Sequence, residues 1–302
     1  MHKKLLFFLC CPLFFQTSYT QTKISMPDLK KEVENTLTVP QADFALAFKD
    51  LQTGETLLLN EKQTFHAAST MKTPVLVELF RQAAEGKFAL TDSITIKNSF
   101  RSIVDGSPYA LDAADDSEWE LYQNLGQKTT LAALAYSMII QSSNLATNLL
   151  IELVKPENVM ATMNSLGVHD LKVLKGVEDN KAYQKGRNNT TTAYDLMLIF
   201  EQMANEKLVS ASASREMINI LLDQKFKDII PALLPADVKV AHKTGSITGI
   251  QHDSGIVLLP DGRKYVLVLL SRFAPARQKD AIRAMASASQ LIYQYLQQTT
   301  AH

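Results

Sequence analysis

The chain has 302 residues, of which 46% are hydrophobic and 21% are charged, a composition typical of a globular protein. Its 31 basic residues equal its 31 acidic residues in number, so it lacks the basic excess that nucleic-acid binding normally requires. A chain of this length can bury a substantial core, in one large domain or in two lobes.

The first twenty residues have the pattern of a secretory signal peptide. A short basic start precedes the uncharged run LLFFLCCPLFF, and a polar stretch follows it. Because this run is too short to span a bilayer as a helix, we predict cleavage after Thr20 and export to the periplasm or the exterior, with no stable membrane insertion of the mature chain. An N-terminal membrane anchor, or a lipoprotein signal that uses Cys10 or Cys11, is the weaker alternative.

Both cysteines lie inside the predicted signal peptide of residues 1–20. The mature chain, residues 21–302, would therefore contain neither a thiol nor a disulfide, and its stability would depend on core packing. Cysteine chemistry and thiolate metal sites are thereby excluded for the mature protein.

The hydrophobic pattern changes twice along the mature chain. Residues 27–37 predict a short helix, and two apolar runs about Gly54 predict a β-hairpin. Residues 95–125 and 168–190 are less regular and predict long loops, which often carry function in compact domains. From about residue 68 to 225 the pattern is otherwise helical, in the segments TPVLVELFRQAAEGKF, TLAALAYSMIIQ, NLATNLLIELV, TTTAYDLMLIFEQMANEK and SASREMINILLDQ.

After about residue 235 the pattern returns to strands. DVKVAHK alternates apolar and polar residues, GIVLLPDGRKYVLVLLSRF predicts two strands about the turn PDG, and a last helix is predicted over roughly residues 275–297. We therefore predict an α/β (α+β) fold, in which an antiparallel sheet is flanked by N- and C-terminal helices and carries an inserted all-helical lobe. The sheet lobe comprises about residues 27–67 and 226–302, and the helical lobe about residues 68–225.

A candidate nucleophile lies where the helical region begins, in the stretch HAASTMKTPV. Ser69 and Lys72 are three residues apart, which places them on one face of a helix. A lysine whose pKa is lowered by burial and nearby positive charge can take the proton of the serine hydroxyl. The backbone N–H of a serine at a helix N-terminus is also free to bind a developing oxyanion. Taken alone, the pair is a weak signal, and a serine in a first helical turn followed by a solvated lysine is the favoured interpretation.

Two further motifs follow this pair in the chain. SSN, at residues 142–144, separates two predicted helices, where serine and asparagine also serve as helix caps. KTG, at residues 243–245, ends a predicted strand, where a glycine turn is the ordinary interpretation. The occurrence of all three motifs in this order, each in a fitting local setting, favours a shared catalytic function over chance.

With these motifs the chain resembles the class A β-lactamases, a family of the penicillin-recognising serine hydrolases. The family signatures are S-x-x-K, S-D-N and K-T-G, so the first and third match fully and the second matches at two of three positions. The resemblance covers nearly the whole mature chain, including the order of strands, helical lobe and strands. It implies a fold of the β-lactamase/transpeptidase type.

The resemblance also implies a role for each matched residue. Ser69 would be the nucleophile, Lys72 would share in its activation, and Ser142 would pass a proton to the leaving nitrogen. The implied substrate-binding residues are Asn144 for the amide side chain of the substrate, Lys243 and Thr244 for its carboxylate, Gly245 for close approach along the strand, and Ser246, whose N–H would complete the oxyanion hole with that of Ser69.

Two departures from the family pattern concern the second motif and the deacylation base. Ser143 stands where the family has aspartate, and we expect this turn to be held less firmly, because a hydroxyl makes a weaker hydrogen bond to the backbone than a carboxylate. The family places its deacylating glutamate in E-x-x-L-N on a long loop. Glu178 is the candidate here, although Leu and Asn do not follow at that spacing, and a solvated loop carboxylate is the alternative.

Three more residues are candidates for the wall of the site. The segment after KTG, SITGIQHDSG, has no arginine where many family members carry one. His252 either substitutes for that arginine in part or, as we expect, is an exposed loop histidine. Tyr109 and Trp119 lie on the loop before the second motif, where a wall of the site and ordinary packing are equal alternatives.

Three functions are compatible with these residues. The favoured one is a serine β-lactamase, which opens the amide bond of a β-lactam through an acyl-enzyme on Ser69 and releases it with a water activated by Glu178. The second is a penicillin-binding D,D-peptidase or esterase-like hydrolase that acts on a peptidoglycan-like substrate and deacylates slowly. The third, a non-catalytic exported binding protein, is disfavoured because Ser69, Lys72 and Lys243 are intact. We expect a monomer without a cofactor. We also expect no metal, since the histidines form no pair at ligand spacing.

Overall fold

The computed structural model describes residues 24–298. The predicted signal peptide, its cleavage after Thr20 and both cysteines lie outside this range. Within it, no helix is long and apolar enough to cross a membrane.

The helices and strands of the described chain follow the predicted order. The α-helices are α1 (Met26–Thr36), α2 (Lys72–Ala84), α3 (Leu131–Ile140), α4 (Asn144–Val154), α5 (Pro156–Ser165), α6 (Asn180–Gln184), α7 (Ala193–Ala204), α8 (Ala211–Leu222) and α9 (Gln278–Gln298). The β-strands are β1 (Ala42–Asp50), β2 (Thr56–Leu59), β3 (Phe65–His66), β4 (Ser93–Thr95), β5 (Phe100–Arg101), β6 (Pro108–Tyr109), β7 (Lys128–Thr130), β8 (Thr190–Thr191), β9 (Lys239–Ile247), β10 (Ile250–Leu258) and β11 (Lys264–Phe273). Short 3-10 helices span Ala68–Met71, Ala113–Asp115, Trp119–Asn124 and Pro275–Arg277.

Five strands from both ends of the chain form one antiparallel sheet, in the order β2-β1-β11-β10-β9. Strand β1 pairs with β11 along its whole length, and β10 pairs with both β11 and β9. Strand β9, which carries the KTG motif, therefore lies at an edge of the sheet. The predicted fold class is confirmed by this topology and by the helices that flank it.

The central strands separate two cores, because successive side chains of a strand point to opposite faces. In β1, Leu46 and Phe48 belong to the core that α1 and α9 cover. Ala45 and Ala47 belong to the other core, which the helical lobe covers. Helix α7 packs on this second face, against β1, β10 and β11. The sheet is thus the middle layer, and the helical lobe lies beside its β9 edge.

Helices α2 to α8 make up the inserted lobe, with α2 at its centre. The nine residues from Lys72 to Phe80 are all buried. The lobe also contains short two-stranded ladders, among them β4 with β7, and two helices that the periodicity did not predict, α5 and α6. Helix α5 directly follows a break at Lys155, whose φ of 70° ends α4. The residue boundaries predicted for the two lobes stay predictions.

Candidate active site

Ser69 lies in the 3-10 turn directly ahead of α2 rather than inside that helix. Two neighbouring backbone groups hold the turn: Ala67 N–H donates to the carbonyl oxygen of Asn189 at 2.9 Å, and Ala68 N–H donates to His66 Nδ1 at 3.0 Å. Ala68 has a φ of 45°, in the left-handed region that non-glycine residues rarely adopt. Such strain persists only where the surroundings support it, and it recurs at functional sites.

Strand β9 passes directly beside this turn. A Cβ added at Gly245 would lie 3.2 Å from the backbone nitrogens of both Ser69 and Thr70, so a larger residue would push the strand and the turn apart. Because β9 is an edge strand, one row of its backbone N–H and C=O groups is not used by the sheet. The glycine of the third motif therefore keeps an unpaired strand edge close to the candidate nucleophile.

Two lysine side chains meet at the hydroxyl of Ser142. Lys72 Nζ donates to Ser142 Oγ at 3.2 Å and to its carbonyl oxygen at 2.6 Å. Lys243 Nζ donates to the same Oγ at 3.1 Å and to the carbonyl oxygen of Thr244 at 2.9 Å. Since both ammonium groups donate to this oxygen, the hydroxyl proton of Ser142 is free for another acceptor.

Burial makes the positive charge of these lysines unfavourable. It lowers the pKa of Lys72, which is fully buried, to about 7, although the charges of Asp116 and Glu178 act in the opposite direction. Burial also lowers the pKa of Lys243 well below its usual value, and the neighbouring charge of Lys72 adds to this effect. A substantial fraction of Lys72 is therefore a neutral amine near pH 7, as a proton acceptor must be.

Asn144 links Lys72 to Glu178. Its Oδ1 accepts a hydrogen bond from Lys72 Nζ at 2.9 Å, and its Nδ2 donates to Glu178 Oε1 at 2.7 Å. Glu178 is half-buried rather than solvated, and burial raises the pKa of its carboxyl group. Within residues 24–298, no hydrogen bond joins the Ser69 hydroxyl to Lys72, whose Nζ is held by Ser142 and Asn144.

The loop that carries Glu178 is tied to the helical lobe from the side of α4. Asn148 Oδ1 accepts from Val177 N–H at 2.7 Å, and Asn148 Nδ2 donates to the carbonyl oxygen of Val177 at 3.1 Å. A Cβ at Gly176 would lie 2.2 Å from Asn148 Oδ1, so only glycine allows this close approach. Glu178 itself has a φ of 61°, and these bonds fix the backbone directly before it.

Two further side chains hold the same loop. Asp179 accepts hydrogen bonds from Ser102 Oγ and Ile103 N–H, both at 2.9 Å, and caps α6. Asn189 Oδ1 accepts from Leu174 N–H at 2.8 Å. The sequence singled out none of these residues, because the partners of Asp179 lie 76 and 77 positions away and no local pattern marks them.

The turn of the second motif is held by a carboxylate from outside the motif. Ser143 Oγ makes the expected local bond, accepting from Ala146 N–H at 3.2 Å. In addition, Asp116 Oδ2 accepts from the N–H groups of Asn144 and Leu145, each at 2.9 Å. A carboxylate thus holds this turn although Ser143 stands where the family has aspartate, and sequence reasoning missed Asp116. The expectation of a less firmly held turn stays a prediction.

One cleft brings the predicted residues together. Its two connected cavities have volumes of about 420 and 320 Å³. Lys72 and Lys243 are fully buried and reach the cleft through Ser142. Of the other predicted residues, Ser69, Asn144 and Ser246 line both cavities, Glu178 lines the larger, and Ser142 and Thr244 line the smaller. An accessible hydroxyl with a neutral amine, a second lysine and a carboxylate close by is an arrangement suited to acyl transfer.

His252 is not the exposed loop residue that the sequence predicted. It is fully buried in β10, which begins earlier than expected, at Ile250. Its Nε2 lies 2.9 Å from the carbonyl oxygen of His66, and burial lowers its pKa to about 4. The neutral ring therefore joins β10 to the segment before Ser69, and it does not substitute for an arginine in the cleft.

The two aromatic candidates differ in their surroundings. Trp119 is 54% exposed and lines neither cavity. Tyr109 is half-buried, and its hydroxyl donates to the carbonyl oxygen of Val177 at 3.3 Å. Tyr109 thus supports the loop before Glu178 rather than the wall of the cleft.

Comparison with known proteins identifies the family of this chain. Residues 28–296 match the family model described as the beta-lactamase enzyme family. Two curated relatives are the extended-spectrum beta-lactamase PER-1 of Pseudomonas aeruginosa, 23% identical over 94% of this chain and 92% of its own length, and a beta-lactamase of Bacteroides uniformis, 22% identical over 89% and 91%. Two solved structures are PBP-A, with a TM-score of 0.77 and 23% identity over 91% of this chain and 98% of its own, and a beta-lactamase from Sphaerobacter thermophilus, with a TM-score of 0.76 and 25% identity over 90% and 97%. The chain therefore belongs to the beta-lactamase enzyme family.

Proposed function

We propose that this protein is a serine β-lactamase that hydrolyses the amide bond of β-lactam antibiotics. One observation carries the proposal beyond family membership: Asn144 connects Lys72 and Glu178 by hydrogen bonds of 2.9 and 2.7 Å. A base for acylation and a base for deacylation are thereby held in one network beside the cavity that Ser69 lines.

In the acylation step, Ser69 Oγ attacks the carbonyl carbon of the lactam while Lys72 takes its proton. The developing oxyanion is bound by the backbone N–H groups of Ser69 and Ser246. As the C–N bond breaks, Ser142 gives its proton to the nitrogen and is reprotonated by Lys72, whose Nζ lies 3.2 Å away. The products of this step are an ester on Ser69 and a ring-opened amine.

Substrate binding follows from the same arrangement. Lys243 and Thr244 bind the carboxylate of the substrate, and Asn144 donates to its amide side chain. Gly245 allows the substrate to lie along the edge of β9. These contacts are supported by the cavity that Thr244 and Asn144 line.

In the deacylation step, Glu178 takes a proton from a water molecule whose oxygen attacks the ester carbon. The bond to Ser69 Oγ breaks, and the hydroxyl is restored with that proton. Because burial raises the pKa of Glu178, a smaller fraction is ionised in weak acid than for an ordinary glutamate. We therefore expect the rate of hydrolysis to fall at a higher pH than it would with an ordinary glutamate.

A penicillin-binding peptidase with slow deacylation is the second candidate. Ala182 stands four residues after Glu178, where the family pattern has asparagine, and its methyl group is fully buried. It cannot bind the attacking water, and this observation favours a stalled acyl-enzyme.

We also propose that the mature enzyme begins at residue 21 and acts outside the cytoplasm as a monomer, without a cofactor. The N-terminal pattern supports export. A β-lactamase placed there would meet the antibiotic before it reached its target.

One assay separates the candidates. Purified residues 21–302 are mixed with a chromogenic cephalosporin, and the colour change and the intact mass are followed. Sustained turnover supports the β-lactamase. A burst of one equivalent with a lasting adduct supports the peptidase. If neither turnover nor an adduct on Ser69 is observed, both candidate functions are contradicted.

A further inference from the structure

We propose that Asp116 is a positioning residue of the active site, which supplies from a distant loop the carboxylate that Ser143 does not provide. Its bonds reach Asn144 and Leu145, which lie two and three residues after Ser142. The kinetic part of this inference rests on the proposed function, whereas its structural part does not.

The first four backbone N–H groups of a helix have no partner inside it. At the start of α4, Asp116 Oδ2 accepts the first two, from Asn144 and Leu145 at 2.9 Å each. Ser143 Oγ accepts the next one, from Ala146 N–H at 3.2 Å, and Thr147 N–H then makes the first bond within the helix, to the carbonyl oxygen of Ser143. A carboxylate at a helix N-terminus is also stabilised by the helix dipole, and its hydrogen bonds are stronger than those of a hydroxyl. Asp116 therefore provides the larger and stronger part of this cap.

Asp116 is itself held in place. It is 8% exposed, Tyr122 donates its hydroxyl proton to Oδ2 at 2.9 Å, and Glu118 N–H donates to Oδ1 at 3.1 Å. Within residues 24–298 no lysine, arginine or histidine forms a salt bridge with it. A buried carboxylate is costly unless its charge is compensated. The N–H groups at the start of α4 compensate the charge of Asp116.

The cap matters for chemistry because of the residues it holds. Ser142, whose hydroxyl meets both buried lysines, has a φ of 60° and stores backbone strain. Asn144, whose amide joins Lys72 to Glu178, is the first residue of the helix. Asp116 fixes the backbone that follows the strained Ser142. A misplacement of about 1 Å at such a site can cost about 100-fold in rate.

A rescue experiment tests the proposal. Asp116→Ala should lower kcat by about 10- to 100-fold with a smaller change in KM, because the catalytic groups are displaced while the binding edge of β9 is intact. Adding Ser143→Asp to this variant should restore kcat to within about threefold, since a carboxylate again faces the first turn of α4. Ser210→Ala, which removes the cap of α8, is the matched control and should leave kcat unchanged.

The pH profile distinguishes positioning from simple stability. Asp116→Asn keeps an oxygen acceptor but removes the negative charge. In the wild-type protein this charge raises the pKa values of Lys72 and Glu178. The other titratable groups that feel this charge are Glu118 and Tyr122, on its own segment. In the variant the acid limb of kcat/KM, which reports acylation, should move to lower pH, because the pKa of Lys72 falls. A residue that only stabilised the fold would leave that limb in place.

Amide hydrogen exchange tests the structural part without any substrate. Exchange at Asn144 and Leu145 should accelerate in Asp116→Ala and slow again when Ser143→Asp is added. Unchanged exchange, a wild-type kcat in Asp116→Ala, or no rescue by Ser143→Asp in a folded protein would each overturn the proposal. If the wild-type protein forms no acyl-enzyme at all, the proposed function fails, and the exchange rates still decide the role of Asp116.

Discussion

The two sides of the cleft are built in different ways. On the acylation side, Lys72 is the first residue of α2, and Lys243 lies within β9, so both are placed by regular backbone hydrogen bonds and are fully buried. On the deacylation side, Glu178 lies on an irregular loop, is half-buried and has a φ of 61°. Side chains such as those of Asn148 and Asp179 hold the part of that loop next to Glu178.

This difference indicates that deacylation can be altered separately from acylation. A change on the acylation side disturbs a helix or a strand of the core, and it therefore threatens the fold as well as the chemistry. A change on the deacylation side breaks a few polar contacts and leaves the core intact. We infer that deacylation is the step most easily lost or tuned, and that a hydrolase and a stalled acyl-enzyme are separated by few substitutions.

The nucleophile should give the largest effect. Ser69→Ala removes the oxygen that attacks the substrate, so we expect kcat/KM to fall by about 10,000-fold or more. Initial rates with a chromogenic cephalosporin and intact mass spectrometry measure this loss. The exposed Ser99 offers the matched control, and Ser99→Ala should keep full activity. An adduct that persists in Ser69→Ala would place the nucleophile elsewhere.

The buried lysine of the acylation side comes next. Lys72→Met removes the proton acceptor, and we expect acylation to slow by about 1,000-fold. In the wild-type protein the acylation rate should rise with pH and level off above about 7, because the pKa of Lys72 is about 7 and only the neutral amine accepts a proton. Single-turnover kinetics between pH 5 and 9 test this, with exposed Lys172→Met as the control. A flat profile would exclude Lys72 as the base.

Glu178→Gln sharpens the comparison between the two sides. The amide cannot take a proton from water but can still accept from Asn144, so deacylation should slow by about 100-fold or more while acylation changes little. The acyl-enzyme should then accumulate and be visible by mass spectrometry. Glu157→Gln, at an exposed site on α5, is the control. Equal slowing of both steps would mean that Glu178 does not act in deacylation alone.

The same contrast explains what could be predicted from the sequence. The predicted segment NLATNLLIELV is the observed α4, because its periodicity is local. Ser69 and Lys72 could be identified together since their spacing lies within one short stretch. His252 was misassigned because the strand begins before the apolar run that signals it. In each case, success depends on whether the residues that determine the structure lie close together in the sequence.

Long-range polar contacts were beyond such reasoning. Asp116 meets Asn144 and Leu145 across 28 and 29 positions, and nothing in the surrounding sequence DAADDSEW marks one aspartate among its neighbours. The ties of Asn148 to Val177 span 29 positions and join a helix to a loop without periodicity. The residues that tune the site are therefore found only when the chain is folded.

Asn148→Ala should give the smallest effect and test the loosely held side directly. It removes both hydrogen bonds to Val177 and leaves the partly buried N–H of Val177 unpaired, at a cost of about 1 to 3 kcal/mol in the free energy of unfolding, whereas the carbonyl oxygen keeps the Tyr109 hydroxyl. The loop before Glu178 should shift, so we expect deacylation to slow by about 10-fold while acylation stays within about twofold. Asn158→Ala, which removes one hydrogen bond on α5, is the matched control. Because Asn148 lies on α4, about one turn from Asn144, a parallel loss of acylation would show that the two sides of the cleft move together and that their separation is only apparent.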